Sequence, residues 1–137
     1  MNSWRKTFIS FVALFASLVI AVAFIVNGVL SRASDVSKKS PSGQYLIESV
    51  PAGSILTPRD SVYLRFTDLN DPGRVYRTPL FSDVSLDMSA DEDEETVGVI
   101  FIALSKKSKQ FTLALSNPRK HWMDFFISNT PYKVLEN

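Results

Sequence analysis

The chain has 137 residues, 45% of them hydrophobic, a formal net charge of +1 and no cysteine. That length suits one domain of ordinary size, and the missing cysteine excludes disulfides, zinc–thiolate sites, a cysteine nucleophile and a lipid-modified cysteine anchor. The balanced charge argues against a dedicated nucleic-acid binder, which would be strongly basic.

The first predicted element is a membrane span. Phe8 to Val26 are 19 consecutive uncharged residues, 13 of them Leu, Ile, Val or Phe. Extended from Thr7 to Leu30, the stretch makes about 36 Å of helix, enough for a hydrocarbon core of about 30 Å. Its strongly apolar residues favour insertion by about 4–8 kcal/mol on a translocon scale. The apolar side chains cover the whole circumference, so a one-sided core helix does not fit. A cleaved signal peptide is the competing reading: Arg5 and Lys6 supply a basic start, and Ser31-Arg32-Ala33 is a small-x-small site. The span exceeds the 7–15 residues of a usual signal h-region, which favours an uncleaved anchor. Arg5 and Lys6 sit closest to it, so the expectation is a cytoplasmic tail at residues 1–6 and a periplasmic C-terminal domain. This orientation places the chain in a bacterial inner membrane, with the lipid bilayer contacted by residues 7–30. Trp4 fits as an interfacial anchor.

Residues 31–42 contain five serines and almost nothing apolar. They read as a flexible linker with a reach of about 17–21 Å. The domain is expected to fill residues 43–137.

From Gly43 onward the pattern is that of strands. Tyr45 and Ile47 alternate with Glu48; Val62, Leu64 and Phe66 alternate with Tyr63, Arg65 and Thr67; Phe111, Leu113 and Leu115 alternate with Gln110, Thr112 and Ala114. Period-two alternation marks half-buried antiparallel strands. Asn70-Asp71-Pro72-Gly73 is a turn between a strand at 61–68 and one at 74–78. Val97 to Leu104 is apolar at almost every position and reads as one central strand buried on both faces. The fold class is therefore mostly β: one transmembrane helix, then a small antiparallel sandwich or barrel-like domain of about seven strands, with no long helix after residue 30.

Candidate sites follow the charge. The acidic run Asp91-Glu92-Asp93-Glu94-Glu95, with Asp87 before it, reads either as a solvated, self-repelling loop or as a surface that steers a basic protein partner. It lacks the glycine and the spaced oxygens of a calcium loop, so no metal is expected. Lys106-Lys107-Ser108-Lys109 is a basic hairpin tip, either a solubilising turn or a contact with anionic headgroups. His121 is the only histidine. No nucleophile elbow accompanies it, and on a strand Asp124 would face away from it, so no enzyme and no cofactor are expected. Trp122, Phe125 and Phe126 read as core and rim of the last strand, whereas an exposed cluster there would indicate an interface.

The stretch Ser40-Pro41-Ser42-Gly43-Gln44-Tyr45-Leu46-Ile47-Glu48, together with the N-terminal span, resembles small single-span envelope proteins of enterobacteria. Some of these look like immunity or accessory proteins for secreted toxins. The resemblance implies a membrane-anchored periplasmic protein-binding module, with an immunity protein against a periplasm-acting toxin as the specific expectation. It carries no site residue. Two other readings stay open: a structural or assembly subunit of an envelope or secretion complex, and a cell-envelope hydrolase built on His121.

Overall fold

The computed structural model describes residues 2–82, 88–114 and 121–135, and two compact units divide the chain at Ser31. The first unit is one helix, α1 (Ser3–Leu30), long and apolar enough to cross a membrane or to act as a signal anchor. It begins four residues before the expected Thr7, so Arg5 and Lys6 lie inside its first turn. Thr7 Oγ1 donates to the Ser3 carbonyl at 3.0 Å and Ser17 Oγ to the Ala13 carbonyl at 2.8 Å. This i−4 back-bonding satisfies both hydroxyls within the helix. Trp4 stacks on Phe8, ring centroids 6.2 Å apart.

The second unit is a β-sandwich of two sheets. The first holds β1 (Val36–Lys39), β2 (Tyr45–Pro51), β3 (Ser61–Asp68), β4 (Val75–Arg77) and β5 (Phe81–Ser82). Its order is β1-β2-β3-β4, with β5 also paired to β3, and every pairing is antiparallel. The second sheet runs β10-β9-β8-β7-β6, from β6 (Asp91–Glu92), β7 (Thr96–Val99), β8 (Ile102–Ser105), β9 (Phe111–Leu113) and β10 (Tyr132–Val134). Here β9 and β10 are parallel, so the sheet is mixed. The described residues thus form ten strands rather than about seven, because several are only two or three residues long.

The core is where the alternation placed it. Tyr45, Ile47, Val62, Leu64, Phe66 and Phe81 from the first sheet meet Val97, Val99, Ile102, Leu104, Phe111 and Leu113 from the second. Phe66 and Phe111 pack edge to face at 5.2 Å, the arrangement that ring quadrupoles favour. Leu115 lies outside the described residues.

Three expectations change. Residues 36–39 are not linker: β1 pairs with β2 from Val36↔Ser49 to Lys39↔Leu46. The backbone of this polar stretch finds its partners on the edge of β2, which a serine-rich composition does not forbid. The turn that follows is the Ser40–Tyr45 motif. Gly43 adopts φ +77°, the Gly43 amide donates to the Ser40 carbonyl at 2.8 Å, and the Tyr45 amide donates to Ser40 Oγ at 3.1 Å. Secondly, Val97–Leu104 is not one strand. It folds back at Ile100-Phe101 into the β7–β8 hairpin, with Val99 opposite Ile102. Gly98 makes this tight pairing possible, since a Cβ there would lie 2.1 Å from the Ile102 carbonyl oxygen. Thirdly, the strand buried on both faces is β3. Val62, Leu64 and Phe66 point into the core, and Tyr63 on the opposite face is also fully buried.

That opposite face is polar and tied together. Arg65 grips Glu48 with two bonds of 3.1 Å, Nε to Oε1 and Nη2 to Oε2, across the register pair that sets them side by side. Burial works against the Glu48 charge, but the bonds from Arg65 win and hold the carboxyl below its ordinary range. Arg32 donates to the Pro51 and Gly53 carbonyls at 3.2 and 2.7 Å.

Candidate interaction surface

The acidic run does not form an extended, self-repelling loop. Asp91 and Glu92 are β6, and residues 93–95 turn tightly into β7. Two of its carboxylates hold the fold together. Glu92 is the most engaged, with a side chain only 4% exposed. Its Oε2 pairs with Lys106 Nζ at 2.7 Å and accepts the Ser42 hydroxyl at 2.8 Å, while Oε1 accepts the Ser42 amide at 2.8 Å. Desolvation opposes its charge, yet the bonds from Lys106 and Ser42 outweigh it and bring the carboxyl down to about 2. Asp93 Oδ1 accepts the Glu95 and Thr96 amides, both at 2.7 Å, which lowers its pKa too. Asp91, Asp93, Glu94 and Glu95 are exposed. Asp87 lies outside the described residues.

The basic tip is divided in the same way. Lys106 is spent on Glu92 and on the Asp93 carbonyl, 2.7 Å away. Lys107 is exposed. Lys109 reaches across the sandwich edge to Tyr45 Oη at 3.2 Å, its Nζ lying 5.8 Å from the Tyr45 ring centre and 5.6 Å from that of Tyr76.

His121 is not on a strand. Its Nδ1 accepts the Met123 amide at 3.1 Å, and its own amide donates to Asp124 Oδ2 at 3.2 Å. Both contacts close a turn into a short helix, α2 (Asp124–Ile127). The ring is thus tied to its own turn, and its neighbour is an aromatic: it stacks on Trp122 at 5.8 Å. Among the described residues no group of histidines and carboxylates is arranged to hold a metal ion.

The last aromatic segment is where the chain departs most from a buried strand. In and just before α2, Met123 and Ile127 are fully buried, while Trp122, Phe125 and Phe126 are 53%, 85% and 40% exposed. The i, i+4 spacing of Met123 and Ile127 puts both on one side of a helical turn, which leaves the aromatics facing outward. Trp122 meets Phe126 edge to face at 6.2 Å, and Phe125 meets Phe126 likewise at 5.3 Å. The platform is anchored from below. Asp124 Oδ1 accepts the Leu80 amide at 2.8 Å, and Arg77 Nε donates to the Ile127 carbonyl at 2.8 Å. Asn129 completes the attachment by treating β4 as a strand edge: its Oδ1 accepts the Arg77 amide and its Nδ2 donates to the Val75 carbonyl, both at 2.7 Å. The signal was present in the sequence as helical rather than alternating spacing over Trp122–Ile127. A six-residue window is too short to separate the two periods.

An exposed Trp-Phe-Phe cluster on a pinned helical turn has the residue types and rigidity of a binding hot spot. Among protein-family models, curated proteins and solved structures, the chain matches nothing.

Proposed function

We propose that this chain is a membrane-anchored protein-binding module. Helix α1 anchors it with the N-terminus in the cytoplasm, and the β-sandwich faces the periplasm. Trp122, Phe125 and Phe126 enter an apolar pocket on a protein partner, and Asp91, Glu94 and Glu95 steer a basic surface of that partner at longer range. The observation that carries this reading is the inverted exposure of α2: the aliphatic side chains are buried and the aromatic ones exposed. Burying such rings on a rigid base costs little conformational entropy at the moment of binding. Neutralising a periplasm-acting secreted toxin is the narrower form of this function, and it rests on the resemblance of the Ser40–Glu48 stretch.

The test is photo-crosslinking in cells from position 125 of the full chain. A single defined protein adduct is expected, suppressed by Trp122→Ala. No protein adduct, or one indifferent to Trp122→Ala and Phe126→Ala, defeats the proposal. The anchor is checked separately: the full chain should resist alkaline carbonate extraction from membranes, and Leu18→Arg should weaken that resistance by about 3 kcal/mol of insertion energy.

A further inference from the structure

We propose a second site, for a phosphate group, in the groove between β4 and the β8–β9 turn. The groove has a volume of about 470 Å³, and Arg74, Tyr76, Ser108, Lys109 and Thr130 are among the residues lining it. None of the lining residues is a carboxylate.

The groove's polar atoms are mostly donors with capacity left. Lys109 uses one ammonium proton on Tyr45 Oη, which leaves two. Arg74 pairs through Nε with Asp71 at 3.0 Å, and its two terminal nitrogens have no protein partner among the described residues. That pair is on the surface, both side chains more than half exposed, so it competes weakly. Among the described residues the Ser108 hydroxyl has no partner, and only its amide is engaged, with Ser105 Oγ. The one side-chain amide oxygen in the lining is already used: Asn129 Oδ1 takes both the Arg77 amide and the Thr130 hydroxyl. Two cations and a hydroxyl beside an aromatic floor match a group that carries more than one negative oxygen.

The backbone supports the same reading. Lys109 sits at φ +55°, a left-handed conformation that is sterically costly for a residue carrying a side chain. Glycine would make the turn more cheaply. Lysine brings to the position an ammonium held between two tyrosine rings at the groove's edge.

The phosphate group has two sources, free phosphate and a phospholipid headgroup, and calorimetric titration of the full chain in non-ionic detergent separates them. One titrant is inorganic phosphate and the other is glycerophosphoglycerol, a soluble headgroup fragment. Saturable binding of either is expected, and the titrant that binds more tightly names the source. Arg74→Gln should weaken it about tenfold or more. Lys109→Gln should do the same, but it also removes the tyrosine contacts, so the exposed Arg74 is the deciding position. A lysine that only clamps two tyrosines predicts no binding of either titrant. That result, or binding unchanged in Arg74→Gln, overturns the site.

Discussion

Glu92 holds Ser42 with both carboxylate oxygens, at 2.8 Å each, and so ties the first strand of the second sheet to the first turn of the other. The two residues are 50 positions apart. Lys106, from the β8–β9 turn, closes the arrangement at 2.7 Å. The acidic run is thus partly a clamp between sheets.

The clamp sets a pH dependence. The folded Glu92 carboxyl titrates at about 2, below its ordinary 4.5. Its stabilisation is complete above the unfolded value and is lost as pH falls from about 4.5 toward 2. Glu48 and Asp93 are shifted in the same direction and add to the loss. Glu92→Gln should cost about 2 kcal/mol near pH 7, since it weakens charge-assisted bonds and leaves Lys106 without a carboxylate partner. The difference from wild type should shrink in acid, and melting temperatures at pH 7, 4 and 2.5 will read it. A constant difference across that range would rule the clamp out.

Gly98→Ala tests the hairpin that replaced the expected single strand. The added methyl would lie 2.1 Å from the Ile102 carbonyl oxygen and 2.8 Å from Ala103 Cα, both backbone atoms. Overpacking against backbone should cost about 3 kcal/mol, at the upper end for core insertions. Chemical denaturation of the detergent-solubilised chain measures it. A neutral result would show that Val97–Leu104 does not turn at Ile100-Phe101.

Phe101 carries the opposite expectation. It holds φ +73° at the hairpin tip with half of its surface exposed. Phe101→Gly should raise stability by about 1 kcal/mol, because glycine takes that conformation without steric cost. A loss of stability would mean that the ring contributes more through packing than its backbone costs.

Asp124 carries the platform without belonging to it. Asp124→Ala removes the bonds from the Leu80 and His121 amides and should cost about 1–3 kcal/mol. Hydrogen exchange at those two amides should quicken, and crosslinking from position 125 should weaken. Phe125→Ala should instead change stability by no more than about 0.5 kcal/mol, since it removes mostly exposed surface, and Trp122→Ala by about 1 kcal/mol, since nearly half of that side chain is buried. A large loss from either would make the aromatics structural, with nothing reserved for a partner.

The sequence by itself determined the elements whose physics is local. Transfer free energy sums residue by residue, so Phe8–Val26 marks an apolar helix without any partner. The turn at Asn70–Gly73 and the inward faces of β2, β3 and β9 follow from residue-by-residue conformational preference and period-two burial. Only the tertiary structure decided the rest. A run apolar at nearly every position has no period, so Val97–Leu104 could not reveal its own fold-back; the close approach of Gly98 to Ile102 does. Residues 36–39, inside a serine-rich stretch, became a strand because β2 offered an unpaired edge. Glu92 and Glu94 are chemically alike, yet one is buried on Ser42 and Lys106 and the other is exposed. The aromatics around α2 face outward because Met123 and Ile127 claim the interior and because Leu80 and Arg77, more than 40 positions away, bond Asp124 and Ile127 and fix the turn. Such choices depend on which distant group arrives beside a residue, and no local pattern encodes that arrival.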